Sequence, residues 1–304
     1  MKKIRRQKDR MKRNTKIALV LCLAVLGTAI APRESECQNL HDSTTHPLTF
    51  TTIDVPGATA TLPRDINPDG AIIGFYGVGT AFPHGFLLQA GTFTDFDFPG
   101  AVATRPRSIN PQGDITGFYV AGGVTHGFLF VEGSFTTIDV PGATSTQPFG
   151  INPQGDVVGQ YSLGGTQHGF LLDTHGSLTT IEFPGASSTG PLFGINPQGD
   201  IVGQYSMGGI THGFLLNTHG SFTTIDFPGA SSTQPIDINP QGDIVGQYSA
   251  GGITHGFLLD KAGNFTSIDV PGASSTAAQG INPQGEIVGT YSLGGVTHGF
   301  LAQR

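Results

Sequence analysis

Residues Phe135 to Asp173 read FTTIDVPGATSTQPFGINPQGDVVGQYSLGGTQHGFLLD, and this stretch decides the fold. It opens with a segment rich in β-branched residues that stops at Pro141-Gly142, as a strand followed by a turn would. In the hexapeptide Ile151 to Asp156, Asn, Pro and Gly stand where a type I turn prefers them. The pair Gly164-Gly165 suits a tight hairpin turn with positive φ. Counting a short strand ahead of the hexapeptide, the stretch predicts four β-strands.

The same pattern occurs six times along the chain. A recurring His-Gly-Phe marks the period, with separations of 42, 42, 44, 43 and 43 residues between successive histidines, which are His84, His126, His168, His212, His255 and His298. A four-stranded unit of about 40 to 45 residues is typical of a propeller blade.

The strands carry apolar residues on both faces, as in Phe214, Leu215 and Leu216, so each sheet must be covered on both sides. We therefore predict an all-β fold, a six-bladed β-propeller of four-stranded blades over residues 50–304. The array starts on the strand Phe50 to Val55 and stops on the strand His298 to Ala302. Pairing these two would complete the sixth blade and remove two exposed edges. An open β-solenoid is the alternative.

The N-terminus has the organisation of an export signal. A basic stretch runs to Lys16, and the apolar segment Ile17 to Ala31 follows, which is short for a membrane span of about 20 residues. We expect residues 1–31 to be a signal peptide or N-terminal anchor and residues 32–49 a linker. The protein is therefore expected to be secreted or held at the cell surface.

Charge and cysteine content exclude several classes of partner. From residue 50 onward, five basic side chains face eighteen acidic ones, a formal charge of −13. Such a surface repels nucleic acid and anionic lipid, so we expect no nucleic-acid partner and no membrane contact beyond a possible N-terminal anchor. Only two cysteines are present, Cys22 and Cys37, so the repeats have no disulfide framework.

His-Gly-Phe-Leu-Leu together with Ile-Asn-x-x-Gly-[Asp/Glu]-[Ile/Val]-Val-Gly, clearest in the third to sixth copies, resembles the HAF-repeat family of bacterial extracellular repeat proteins. The resemblance covers residues 50–304 and implies export and a repeat architecture. Here Gly stands where the family motif has Ala, as at Gly85 and Gly169. The family contributes no established catalytic residues.

Asp, His and Ser or Thr occur in every copy, and Asp139, His168 and Ser162 could be combined into a hydrolase triad. A catalytic site is one constellation placed once, so a set repeated six times favours a structural role. We expect each histidine to hydrogen-bond a neighbouring strand or loop. A ring of six histidines holding a metal is the alternative. No metal site, cofactor or catalytic residue is assigned from the sequence, and the chain is expected not to be an enzyme.

The copies differ most between Pro-Gly-Ala and Ile-Asn, and loops on a rigid scaffold are the usual place for binding. We expect these stretches to form loops on one face. The predicted ligand-binding residues there are Arg64, Arg105, Arg107, Phe149 and Phe193. The sequence predicts an exported, non-catalytic binding or display module at or outside the cell surface, acting as a monomer. It does not identify the ligand, for which a glycan, for instance an acidic one, and a peptide are the candidates. The alternative functions are a purely structural surface protein or an enzyme using the propeller mouth. For the arginines, the alternative is that they only balance the charge of Asp65 and other nearby carboxylates.

Overall fold

The computed structural model describes residues 47–79 and 83–304, which form strands and turns. The predicted signal or anchor over residues 1–31 and most of the predicted linker over residues 32–49 lie outside this part. Within the described residues there is no helix that could cross a membrane. The all-β prediction is confirmed for this part of the chain.

Each repeat folds into an antiparallel unit of four strands. The first unit consists of β2 (Ala60–Ile66), β3 (Ile72–Gly77), β4 (His84–Gln89) and β5 (Thr92–Asp95), and the second of β6 (Ala103–Ile109), β7 (Ile115–Ala121), β8 (Val124–Val131) and β9 (Ser134–Ile138). The third comprises β10 (Ser145–Ile151), β11 (Val157–Leu163), β12 (Thr166–Leu172) and β13 (Leu178–Ile181). The fourth comprises β14 (Ser188–Ile195), β15 (Ile201–Met207), β16 (Ile210–Leu216) and β17 (Phe222–Ile225).

The fifth unit consists of β18 (Ser232–Ile238), β19 (Ile244–Ala250), β20 (Ile253–Leu259) and β21 (Phe265–Ile268). The last unit contains β22 (Ser275–Ile281), β23 (Ile287–Leu293) and β24 (Val296–Gln303), and its fourth strand is β1 (Thr49–Ile53) from the start of the array. The 24 described strands fit six blades of four.

Closure of the array is made by β1 and β24. The two strands pair antiparallel from Thr49 opposite Gln303 to Ile53 opposite Gly299. The ring of Phe50 meets the ring of Phe300 edge to face at 5.6 Å. The first strand of each unit contacts the first strands of its two neighbours, and β22 contacts β2, so these inner strands surround a central axis. The fold is a β-propeller, and the open solenoid is excluded.

The core lies between neighbouring blades. Val158 of the third unit, for example, packs in one cluster with Ile195 and Phe214 of the fourth. In every copy the phenylalanine of His-Gly-Phe is at most 1% exposed; these residues are Phe86, Phe128, Phe170, Phe214, Phe257 and Phe300. Both faces of each sheet are thus covered by apolar neighbours, as the lack of strict alternation in the sequence predicts.

The glycine of His-Gly-Phe is required by the approach of the next blade. A Cβ built on Gly127 would lie 2.6 Å from Cδ of Pro148, and one on Gly299 would lie 2.5 Å from Cγ of Pro63. Real carbon atoms do not approach so closely, so alanine would force the blades apart. This contact explains why glycine stands between His and Phe in the repeats.

The Asn-Pro turns have the predicted geometry. In the third copy the N–H of Gly155 donates to the carbonyl of Asn152 at 3.0 Å, and Gly155 has a φ of 93°. The Oδ1 atom of Asn152 accepts the N–H of Asp156 at 2.8 Å. Such a turn is closed by its own backbone and by the asparagine side chain, so its shape depends little on the rest of the fold.

Removing β1 should open the ring. A chain that begins at residue 47 should keep its melting temperature, because it retains every strand. A chain that begins at residue 54 loses β1, leaves the edge of β24 unpaired and exposes Phe300, so its melting temperature should fall by at least about 10 °C. Thermal unfolding followed by circular dichroism compares the two chains. Equal melting temperatures would contradict closure by β1.

Candidate functional site

Each inner strand contains a β-bulge, and the bulged residue points toward the central axis. Pairing between the first and second strands slips by one residue at the same place in the repeats, for instance between Pro63 and Asp65 in β2. A bulge adds one unpaired residue to a strand and redirects its side chain. The residues at these positions are Arg64, Arg107, Phe149, Phe193, Ile236 and Gln279.

All six bulge side chains line one central cavity of about 310 Å³. Four of the five predicted binding residues are among them, namely Arg64, Arg107, Phe149 and Phe193. The fifth, Arg105, lies on β6 two residues before Arg107. The structure therefore brings together the residues that vary between the copies.

The expectation that these stretches are loops is wrong, since they are the inner strands β2, β6, β10, β14, β18 and β22. Proline and sequence variation suggested turns. An innermost strand has a free edge facing the axis, so it can hold a proline such as Pro63 or Pro106 without losing a ladder hydrogen bond. The candidate site is consequently the central cavity and not a face made of loops.

Three guanidinium groups gather around the ring of Phe75. The Cζ atoms of Arg64, Arg105 and Arg107 lie 4.8, 5.5 and 5.6 Å from its centroid. Arg107 also lies 5.0 Å from the centroid of Phe118. Aromatic faces attract cations and partly offset the repulsion among the three charges.

The arginines lack ionic partners. Among the described residues, no carboxylate oxygen lies within 4.0 Å of their nitrogens, and the ion pairs present join histidines to Asp or Glu. The buried Nε atoms of Arg64, Arg105 and Arg107 have no hydrogen-bond partner. Arg64 donates from Nη1 to Oε1 of Gln279. The alternative in which these arginines balance Asp65 through an ion pair is not what the geometry shows.

Burial, together with mutual repulsion for Arg64 and Arg107, lowers the pKa values of the three arginines. Burial, followed by the charge of Arg105, lowers the pKa of Arg64 to about 10. Burial together with the charges of Arg64 and Arg105 brings the pKa of Arg107 well below its ordinary value, and burial lowers the pKa of Arg105. The cluster remains cationic near neutral pH and lacks a counter-charge.

Two buried carboxyl groups form the floor of the same cavity. Asp65 and Asp237 follow the bulges of β2 and β18, where the other copies have Ser108, Gly150, Gly194 and Gly280. Asp237 accepts the N–H of Ile238 and the N–H of Ile281, both at 2.9 Å. The bond from Ile281 ties β22, the inner strand of the sixth unit, to β18, the inner strand of the fifth.

Asp65 makes a similar connection to the second blade. Its Oδ1 accepts the N–H of Ile66 at 2.7 Å, and its Oδ2 accepts the hydroxyl of Ser108 and the N–H of Ile109, both at 2.8 Å. Each protein partner of the two aspartates is thus a donor. When Asp237 is protonated, its backbone N–H partners offer no acceptor for its proton, whereas the hydroxyl of Ser108 can accept the proton of Asp65.

Burial raises the pKa of Asp237 to about 6. Burial, followed by the charge of Asp237, raises the pKa of Asp65 well above its ordinary value. The hydrogen bonds from backbone N–H groups act in the opposite direction and are the smaller effect. Strongly perturbed carboxyl groups in a cavity are typical of functional sites.

The remaining wall of the cavity is apolar on one side and amide-lined on the other. The rings of Phe149 and Phe193 meet edge to face at 5.4 Å. Nε2 of Gln247 donates to Oε1 of Gln234 at 2.6 Å, and both residues line the cavity. The cavity therefore combines cationic, acidic, apolar and amide surfaces.

Sequence reasoning missed several residues of the site, including Asp237, Ile236 and Gln279. A signal for them exists in the differences between copies. The residue before Ile-Asn is Asp, Ser or Gly, depending on the copy. On the second strand of each unit, the residue that follows the strand's first glycine is Phe75, Phe118 or Thr290 in three copies and Gln in the other three. Phenylalanine stands at this second position in the two copies that carry the arginines.

The six histidines of His-Gly-Phe are bonded as predicted. The Nδ1 atom of His84, for example, lies 2.7 Å from Oδ2 of Asp97. The Nδ1 atom of His298 lies 2.8 Å from Oδ2 of Asp54, which directly follows β1. In each copy the imidazole lies against the tyrosine of the neighbouring strand, as His212 does against Tyr205. These contacts connect the third strand to the segment that follows the fourth. No group of three or more His, Cys, Asp and Glu suited to a metal occurs in the described part of the chain.

No family model matches the sequence, and no curated protein matches it at significant similarity. Solved structures match the fold. Virginiamycin B lyase from Staphylococcus aureus is 12% identical with a TM-score of 0.53, and the match covers 85% of this chain and 100% of that one. TolB from Acinetobacter baumannii is 13% identical with a TM-score of 0.54, over 80% of this chain and 63% of that one.

A protein assigned to the gluconolactonases is 14% identical with a TM-score of 0.52, over 85% of this chain and 93% of that one. At such identities these likenesses show the β-propeller fold alone. They nevertheless correct the expectation of a non-catalytic module, because proteins of the same fold include enzymes such as the lyase. Sixfold repetition of the scaffold is no argument against catalysis when the side chain at the axis varies among Arg, Phe, Ile and Gln between copies.

The buried carboxyl groups should make the protein more stable in mild acid. At pH 5 folded Asp237, with its pKa near 6, holds a proton that the unfolded chain, with an ordinary value of 3.8, has released. Stability from this group is therefore greatest below pH 4 and is lost as pH rises through 6. We expect the free energy of unfolding to be about 1 kcal/mol higher at pH 5 than at pH 7.5.

Urea unfolding at the two pH values measures this difference. Asp237→Ser should reduce it and leave the part that comes from Asp65, whose pKa is also raised. Ser should still accept the N–H of Ile281 as Ser108 accepts that of Ile151. Asp69→Gln is the control, since the other copies have Gln at this exposed turn position. An equal pH response in all three proteins would show that Asp237 is ionised in the fold.

Proposed function

We propose that the central cavity is a substrate site, in which the protein binds an organic anion through its arginine cluster and acts on it with a carboxyl proton. The observation that carries this proposal is the convergence of three arginines around Phe75 with buried, unpartnered Nε atoms and no carboxylate within 4.0 Å. Buried polar groups in proteins are normally hydrogen-bonded, so this cluster lacks its partner.

An anion would supply that partner. Guanidinium groups bind carboxylates, sulfates and phosphates with two parallel hydrogen bonds, which a lysine cannot reproduce. Its charge would also offset the repulsion that lowers the pKa of Arg64 and Arg107. Inside a cavity these attractions are screened less than on an open surface. Gathering three cations without a counter-charge destabilises the fold, so their presence favours a role in binding.

The carboxyl groups on the floor of the cavity support acid chemistry on the bound anion. Asp237 has a pKa of about 6 and makes protein contacts that only donate to it. A protonated carboxyl in that position has its proton free for a ligand, and a general acid is most effective when its pKa lies near the working pH. Asp65, with a raised pKa and a place in the same cavity, is the second candidate acid.

The wider setting follows from the sequence. We propose a closed propeller of six blades, exported by the basic and apolar N-terminal segment and related to the HAF-repeat proteins. A cavity of about 310 Å³ admits a small molecule or the terminal unit of a glycan or peptide. The charge of the repeat body again argues against nucleic acid as a ligand.

Anion binding can be observed directly on the arginines. A chain beginning at residue 47 contains four arginines: Arg64 and Arg107 in the cavity, Arg105 beside them on β6, and Arg304 at the C-terminus. In ¹⁵N-labelled protein, titration with sodium sulfate should shift the Nε–H signals of Arg64, Arg105 and Arg107 and leave that of Arg304 unchanged. Sodium chloride at equal ionic strength separates binding from screening.

Arg107→Gln should weaken sulfate at least about 10-fold, since a hydrogen bond to a charged group contributes about 1.5 to 3 kcal/mol. Its melting temperature should stay level or rise, because a buried unpaired charge is removed. Lys261→Gln, which removes an exposed cation elsewhere, is the control. Full-strength binding by Arg107→Gln, or equal shifts in all four signals, would place the anion site elsewhere.

Binding of the anion should also draw protons into the cavity. A negative charge beside Asp65 and Asp237 disfavours their ionised forms, so their pKa values rise further and the complex takes up protons near pH 6.5. Calorimetric titration with sulfate in two buffers of different ionisation enthalpy measures the number taken up. Asp237→Ser should reduce it while sulfate still binds. Absence of uptake in the native protein would remove the acid role and leave the anion site standing.

A further inference from the structure

The six bulge residues divide the cavity into sectors. Neighbouring blades follow one another in the chain, so their order around the axis is that of the sequence. The two arginines, Arg64 and Arg107, are adjacent, and the three apolar residues Phe149, Phe193 and Ile236 are adjacent. Gln279 completes the ring. Two adjacent positions of the wall are thus cationic, and the next three positions around the axis are apolar.

From this division we infer that the ligand is an aromatic acid, whose anionic group binds Arg64 and Arg107 and whose ring lies against Phe149 and Phe193. The inference rests on the proposed anion site and names the class of molecule that fills it. The two phenylalanine rings are already edge to face at 5.4 Å, and Phe149 lies 5.0 Å from the guanidinium carbon of Arg107. The charged and apolar sectors therefore meet, and one small molecule can span both.

The size of the cavity supports an organic ligand over an inorganic ion. About 310 Å³ is at the lower end of the range of small-molecule sites. A sulfate or phosphate ion would occupy the arginine sector and leave water against the apolar wall. A flat ring would displace that water, and aromatic rings gain additional attraction from offset or edge-to-face contact with phenylalanine.

The amide sector argues for a ring over a sugar. A sugar acid needs hydrogen-bond partners for several hydroxyl groups. Oε1 of Gln234 already accepts from Gln247, and Oε1 of Gln279 already accepts from Arg64. Each of these two oxygens thus already has a protein donor, and the side chains of Phe149, Phe193 and Ile236 accept no hydrogen bond.

Calorimetric titrations with matched pairs of anions test the inference. In the native protein, benzenesulfonate should bind about 10-fold to 100-fold more tightly than methanesulfonate, and phenylacetate should exceed acetate by a similar factor, because each pair differs by one buried ring. Phe193→Gln should remove this gain and leave methanesulfonate and acetate unchanged. Gln already occupies the equivalent bulge position as Gln279, so the variant is expected to fold. Leu163→Gln, at an exposed hairpin tip, is the control.

The possible results separate the two proposals. If the small anions bind and the ring adds nothing, or if the gain persists in Phe193→Gln, the aromatic ligand is wrong and the anion site stands. Glucuronate binding more tightly than phenylacetate would also overturn the inference in favour of a sugar acid. If none of these anions binds the native protein, the proposed function itself fails.

Discussion

Pairing between β1 and β24 is the interaction on which the rest of the structure depends. It joins Thr49 to Gln303, which are 254 positions apart, and it places the first inner strand beside the last. The inner strands surround an axis only because the ring is closed. Without closure their bulges would project from an open edge, and residues such as Arg64 and Gln279 would not meet. A long-range contact of this kind costs loop-closure entropy, which the interblade core must offset.

Blade packing and site construction use separate positions of the same repeat. The glycine and phenylalanine of His-Gly-Phe fill the space between blades, and their identity is fixed by contacts such as Gly127 against Pro148. The bulge side chains take no part in this interblade contact. They face the axis and contact one another there. The bulge residue can therefore change from Arg to Phe, Ile or Gln between copies while the scaffold stays the same. This arrangement lets a symmetric fold carry an asymmetric site.

The charged groups of the cavity lower the stability of the fold. Three clustered arginines and two buried carboxyl groups are each unfavourable in an apolar interior, as the lowered arginine and raised aspartate pKa values show. The aspartates offset part of this cost by joining neighbouring inner strands, Asp237 through the N–H of Ile281 and Asp65 through the N–H of Ile109. The arginines offset little of this cost, because their hydrogen bond to a described side chain is the one from Arg64 to Gln279. The likenesses to solved propeller structures establish the fold alone.

The sequence by itself determined the repeat, its four strands and its turns, because these follow from local turn chemistry and from a period that is read directly along the chain. Pairing of the two ends was predicted with an open solenoid as the alternative, and the structure decided between them. Asn152 and Gly155 specify their turn whatever lies beyond it. It also identified Arg64, Arg105, Arg107, Phe149 and Phe193 as the residues that differ between copies. Only the tertiary structure decided that they lie on inner strands around one cavity, and that Asp237 and Gln279 join them. Bulges and convergence on an axis depend on contacts between distant blades, and no local pattern records which side of a strand will face that axis.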